Sequence, residues 1–171
     1  ALIKRKVNGK VQQFGFFGTG NFNEKTSGIY SDIGLLSADP RHCKELETVF
    51  DYLFHKKQPA GFETLIVPQF GGFEKFISLI ENEISISQRG EYAEIWVKVN
   101  NLEDPEIIQK LYEASAAGVH IKLCVRSICR IKPGVAGLSE NISVCRVVGN
   151  YLEHSRIFIF HNEGKQDMYL G

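Results

Sequence analysis

The residues with the most chemical content are His154 and Arg156, two positions apart in the run Gly149-Asn150-Tyr151-Leu152-Glu153-His154-Ser155-Arg156. The apolar run that follows, Ile157-Phe158-Ile159-Phe160, predicts a strand with this pair at its mouth. Side chains two apart on an extended segment project from one face. Such a pair can bring an imidazole and a fixed positive charge to one phosphoryl group. The imidazole attacks or shuttles a proton, and the guanidinium binds phosphate oxygens bidentately. The plain structural alternative is an edge-strand histidine bonded only to backbone.

Two further segments could share that chemistry. Gly18-Thr19-Gly20-Asn21 is a small-residue turn whose amides and Asn side chain can hold an anion or orient a catalytic histidine; many turns of this composition only reverse the chain. Arg126 directly follows a predicted parallel strand, with Arg130 and Lys132 close behind. Ligands of α/β sheets gather beyond the carboxyl ends of such strands, so Arg126 reads as a phosphate clamp, or else as a solvated charge. Tyr30, between Ile29 and Ile33, reads as core, and His42, His55, His120 and His161 carry no role.

Elements must hold these residues in place. Val11, Phe14, Phe16 and Phe17, then Ile29, Tyr30, Ile33, Leu35 and Leu36, make an extended pattern on either side of the Gly18 loop. Asp39-Pro40 is a helix start, and Leu46, Val49, Phe50, Leu53 and Phe54 recur at helical spacing behind it. Residues 56–61 break the pattern and read as a linker. Strand, helix, strand, helix, strand is expected next. The strands fall at 64–67, Glu94–Val99 and 119–125, the helices on the Phe73, Phe76, Ile77, Ile80, Ile84 stripe and behind Asp104-Pro105, with Gly118 as the stop. Further strands are expected at 143–148, 156–160 and Asp167–Leu170. This alternation predicts an α/β sheet with parallel neighbours.

Composition bounds the partners. The 171 residues are 43% hydrophobic and 23% charged with zero formal net charge, so bulk charge supports no nucleic-acid partner. The four cysteines form no CxxC pair, which argues against structural zinc, and a chain this large and apolar needs no disulfide staples, so a reduced, cytoplasmic setting is expected. The basic start Ala1-Leu2-Ile3-Lys4-Arg5-Lys6 has the reverse order of a secretion signal. Both ends are strand-like without a polar tail, so the chain is expected to be an internal piece of a longer protein.

Together these segments resemble the C-terminal half of polyphosphate kinase, a family related in fold to phospholipase D. The resemblance runs from about residue 18 to residue 171 and is strongest in 18–39, 98–118, 125–141 and 147–160. It is most specific in Leu111-Tyr112-Glu113-Ala114-Ser115-Ala116-Ala117-Gly118-Val119 and in Pro133-Gly134-Val135-Ala136-Gly137-Leu138-Ser139-Glu140-Asn141-Ile142. It implies an α/β, phospholipase-D-like fold with mostly parallel or mixed sheets flanked by helices, in two incomplete units. Residues 1–58 would end the first catalytic domain and 59–171 would form most of the second; the two units are expected to meet near 56–61, the larger, 62–171, being built on a mostly parallel sheet.

That superfamily uses two His-x-Lys elements, each followed by a Gly-Ser-x-Asn-like element. Gly18-Thr19-Gly20-Asn21 resembles the tail of the first, and His154-Ser155-Arg156 the head of the second, with Arg in place of Lys. Gly171 would open the second tail, and the first histidine, phosphorylated during turnover, is expected upstream of Ala1. The isolated segment should then be inactive. The resemblance implies reversible transfer of the terminal phosphate of ATP to inorganic polyphosphate through a phosphohistidine. Tyr30 would stack on or bond the nucleotide, and Arg126 would bind phosphate. His154, assisted by Arg156, would be proton donor or phosphate ligand. Gly18, Thr19 and Asn21 would form a phosphate loop. Mg2+ is expected with ATP, its ligands largely outside this chain; the partners are ATP or ADP and polyphosphate, without nucleic acid. A homo-oligomer is expected of the longer protein, with room for peripheral membrane association. The chain departs from the family pattern at Ser127, where glycine is common, and at Gln69-Phe70-Gly71-Gly72, where a basic residue is usual. A phospholipase-D-like phosphodiesterase and a non-catalytic polyanion-binding module are the competing functions.

Overall fold

The computed structural model describes residues 1–171. In chain order its elements are β1 (Leu2–Val7), β2 (Lys10–Gly18), α1 (Glu24–Ser27), β3 (Tyr30–Ser31), β4 (Gly34–Ser37) and α2 (Pro40–His55). Then come α3 (Gly72–Gln88), β5 (Glu94–Val99), α4 (Pro105–Ala116), β6 (His120–Val125) and β7 (Ile142–Cys145). The chain ends with β8 (Leu152–Glu153), β9 (Ile157–Phe160) and β10 (Asp167–Leu170). No helix is long and apolar enough to cross a membrane.

Two compact units share these elements, and they do not follow one cut in the chain. The first comprises Ala1–Gly18 and Gly34–Lys75, the second Thr19–Ile33 and Phe76–Gly171. In the first unit, β1, β2 and β4 form an antiparallel three-stranded sheet. The helix α2 starts where Asp39-Pro40 predicts, with the Asp39 carboxylate accepting the Arg41 N–H. Leu53 and Phe54, which recur at helical spacing along it, are exposed. The strand expected at 64–67 does not form. The amides of Glu63, Thr64 and Leu65 and the Thr64 hydroxyl donate to the Glu45 carboxylate, so no neighbouring strand satisfies them.

In the second unit the sheet order is β10-β9-β5-β6-β7. The ladders β5/β6 and β6/β7 are parallel, and β5/β9 and β9/β10 are antiparallel, so the sheet is mixed rather than mostly parallel. The reason lies in the connections. After β7 the chain has no helix to carry it back across the sheet, so β9 must enter from the carboxyl end of the parallel strands and run the other way. The turn from β9 to β10 is too short for a crossover, which forces an antiparallel pair. β7 ends at Cys145, short of the expected 148.

Buried Ile95, Ile121, Leu123, Ile142 and Phe160 share one sheet face by register. The helices cover it with Leu79, Ile80 and Ile86 of α3 and Leu111 and Ala114 of α4, all buried. Each of the leucines and isoleucines contributes about 1.5–3 kcal/mol relative to exposure. Asp104 caps α4 by accepting the N–H groups of Glu106 and Ile107, and Gly118 ends the turn beyond it at φ +97°. Buried Glu83 of α3 accepts the amides of Asn162 and Glu94, tying the helix to β5 and to the turn between β9 and β10. Burial pushes its carboxyl above the usual range despite those bonds.

The motif-rich run 133–141 also proves architectural. Buried Ser139 donates to the Lys132 carbonyl and accepts the Val135 N–H, while Asn141 bonds Ser115 of α4.

Candidate active site

The direction of β9 places residues 154–156 at the carboxyl edge of β5, where Ile157 pairs with Lys98. The small ladder within the same unit supplies the rest. β3 and β8 pair in parallel, Tyr30 with Leu152 and Ser31 with Glu153, and His154 N–H donates to the Ser31 carbonyl at 3.1 Å. The next residue after β3, Asp32, thereby reaches the next after β8.

His154 Nδ1 lies 2.9 Å from Asp32 Oδ1. An ionised carboxylate can only accept, so Nδ1 carries the proton and Nε2 is the nitrogen left for chemistry. Thr19 Oγ1 donates to the same Oδ1 at 2.9 Å and accepts the Ile33 N–H at 3.1 Å, which fixes the carboxylate. Gly20 is needed beside it: a Cβ there would sit 2.6 Å from Asp32 Oδ2. Burial alone would raise the Asp32 pKa, but the hydrogen bonds from His154 and Thr19 and the charges of His154 and Arg156 outweigh it and hold the group below the usual carboxylate range. The Tyr30 ring stands 4.8 Å from the imidazole, tilted by 39°.

Below His154 a cleft is lined by Lys98, Cys124, Arg126, Glu153 and Ser155, among others. Lys98 Nζ contacts Glu153 Oε2 at 2.5 Å and Ser155 Oγ at 2.6 Å. Arg126, at the carboxyl end of β6, donates from Nη1 to the Glu153 carbonyl at 2.9 Å. Arg156 Nη1 donates to the His154 carbonyl at 3.1 Å. Both guanidiniums keep further N–H groups for an anion. Ser127 has no positive φ, so serine fits where glycine is common in the resemblance.

The structure thus brings together Tyr30, Thr19, His154, Arg156 and Arg126. It does not gather every sequence candidate. Gly18 ends the β2–β4 ladder opposite Gly34, and Asn21 is an exposed residue whose neighbour Asn23 caps α1. Arg130 turns to Glu103 at 3.8 Å. Among the other histidines, His42 bonds Ser37, and His120 and His161 pack on Tyr92. Sequence reading missed Asp32, Lys98 and Glu153. Lys98 did carry a signal, as the lone charge between Val97 and Val99 of an otherwise apolar strand end. Asp32 carried none, because its partner lies 122 residues away.

The donor set does not make a magnesium site. Asp32 is committed to His154 and Thr19, and Glu153 to Lys98. No group of three His, Cys, Asp or Glu residues converges elsewhere.

An Asp-oriented imidazole and two arginines at the carboxyl edge of a mixed α/β sheet make the class of site that can hold and neutralise an anion. Comparison with known proteins gives that class a family. The family model described as polyphosphate kinase C-terminal domain 2 matches residues 65–171, and that for C-terminal domain 1 matches residues 1–59. The polyphosphate kinase of Staphylococcus saprophyticus is 42% identical over 170 residues, 99% of this chain and 24% of that protein. That of Escherichia coli K12 is 40% identical over 169 residues, again 99% of this chain and 25% of the relative. The crystal structure of polyphosphate kinase from Porphyromonas gingivalis superposes with a TM-score of 0.87 at 40% identity, covering 96% of this chain and 27% of that one. The chain belongs to the polyphosphate kinase family, in its C-terminal region. It spans about a quarter of the length of the curated relatives it matches.

Proposed function

We propose that this chain forms the nucleotide- and phosphate-handling part of an enzyme that moves the terminal phosphate of ATP reversibly onto inorganic polyphosphate, through a phosphohistidine supplied elsewhere in the longer protein. The observation that carries the reading is the Asp32–His154 pair, which leaves Nε2 unspent on a segment whose backbone carbonyls at His154 and Glu153 are held by Arg156 and Arg126. In this scheme the protonated Nε2 donates to a phosphate oxygen as charge builds there, and Asp32 stabilises the imidazolium. Arg126 and Arg156 hold phosphate oxygens with their remaining N–H groups. Tyr30 offers its ring to the nucleotide. Phosphoryl transfer needs alignment and neutralised charge more than covalent machinery, and these residues supply both. Magnesium arrives with ATP, its oxygens coming mainly from substrate phosphates. The setting is cytoplasmic.

The test is ATP-dependent polyphosphate synthesis by the full-length protein, run beside phosphodiester cleavage. Synthesis without cleavage is expected. His154→Ala should lower turnover by about 10²–10⁴-fold with an unchanged melt. Diester hydrolysis without synthesis, or a fully active His154→Ala variant, would overturn the assignment.

A further inference from the structure

Lys98 looks at first like one more cation for an anionic substrate. It ends an apolar strand at the carboxyl edge of the sheet and lines the cleft under His154. Its contacts point to different work. Two of its three N–H donors are engaged, one on Glu153 Oε2 at 2.5 Å and one on Ser155 Oγ at 2.6 Å. Its charge is neutralised by Glu153 in a pair whose side chains are each 24% exposed, which leaves little attraction for a phosphate.

The two residues it grips are the neighbours of His154 on either side. In an extended segment 153 and 155 point one way and 154 the other. Holding both neighbours from below therefore fixes the backbone at 154 and aims the imidazole upward, toward Asp32 and Tyr30. Segment 154–156 lies outside both β8 and β9. Its other ties are the His154 N–H bond to Ser31, the Arg156–Gly171 backbone pair and the Arg126 and Arg156 guanidiniums on the Glu153 and His154 carbonyls, none of which holds the side chains of Glu153 and Ser155. Lys98 itself stands on β5, an interior strand held by β6 and β9, so the platform is rigid. Asp32 sets the rotation of the ring; the lysine sets where the ring is carried.

We infer that Lys98 is a positioning residue for His154, acting through Glu153 and Ser155 and not through contact with phosphate. The inference rests on the phosphotransferase reading and deepens it. Its test uses the full-length protein with Lys98→Met, Lys98→Arg, Glu153→Gln and Ser155→Ala, measuring kcat and KM for ATP per folded molecule. A small displacement of a reacting group costs up to about 10²-fold. Lys98→Met should therefore lower kcat about 10- to 100-fold while KM for ATP stays within about twofold. Lys98→Arg should restore part of the loss. Glu153→Gln should add little on top of Lys98→Met, because the pair acts as one unit. A Lys98→Met enzyme with normal kcat, or one with raised KM and intact kcat, would make Lys98 a bystander or a phosphate ligand and overturn the inference. If Lys98→Met does not fold, Ser155→Ala, which removes one tie and leaves the ion pair, decides in the same way. A second readout separates this claim from the reading beneath it. The rate at which diethyl pyrocarbonate modifies His154, followed by peptide mass spectrometry, should change in Lys98→Met even if the wild-type protein makes no polyphosphate. An unchanged rate counts against the clamp; absent synthesis counts against the function.

Discussion

Asp32→Asn isolates the carboxylate that fixes the tautomer and orientation of His154. Asparagine has nearly the same shape and can still accept one hydrogen bond, but it removes the negative charge 2.9 Å from His154 Nδ1. It also lets the amide flip, offering N–H where Oδ1 now receives both His154 and Thr19. A hydrogen bond to a charged group is worth about 1.5–3 kcal/mol. At about 1.4 kcal/mol per decade, its loss at the transition state lowers turnover on the order of 10- to 100-fold. The effect on folding should be smaller, since the side chains of His154 and Asp32 keep 14% and 24% of their surface in water; a loss of about 1 kcal/mol or less is expected. The assay is polyphosphate synthesis from ATP by the full-length variant, with thermal melts on the same preparations. If Asp32→Asn keeps wild-type turnover while His154→Ala loses it, the carboxylate does not orient the ring. If the loss tracks a collapsed melt, Asp32 is a structural residue.

Three further outcomes are expected. Gly20→Ala places a methyl 2.6 Å from Asp32 Oδ2, so it should cost about 1–3 kcal/mol in stability and depress turnover alongside Asp32→Asn, read by melts and the same assay. Arg126→Ala should weaken binding of the phosphate-bearing substrate by about 1.5–3 kcal/mol, and Arg126→Lys should recover only part, because an ammonium cannot copy the planar fork; substrate titrations check both. The Arg41 guanidinium and backbone N–H beside Asp39 hold its carboxyl at about 2. A depressed folded pKa gives stability that is complete above the unfolded value of 3.8 and is lost as pH falls toward about 2, so Asp39→Asn should flatten the acid limb of a pH-dependent melt in that window.

What the sequence made legible, and what it hid, follows the range of the forces involved. Helix starts at Asp39-Pro40 and Asp104-Pro105, the stop at Gly118 and the strands Glu94–Val99 and Asp167–Leu170 all formed as read, because caps and periodicity act within a few residues. The run 64–67 has the β-branched and apolar composition of a strand, but a distant carboxylate, Glu45, decides where its amides bond. The site divides in the same way. His154, Arg156 and Arg126 announce themselves by residue type at the end of an apolar strand. Thr19 announces itself by its place in a small-residue turn, and its hydroxyl donates to Asp32. Asp32 could not be read at all, since only the parallel pairing of two-residue strands 122 positions apart brings it to the histidine. Lys98 lies between these cases, as a charge out of place in an apolar strand whose meaning needs the antiparallel return of β9. The candidate reactive groups are written locally and the groups bonded to them in the topology. Substitutions at Asp32, Lys98 and Gly20 should therefore disturb turnover although none of the three offers a reactive atom to substrate.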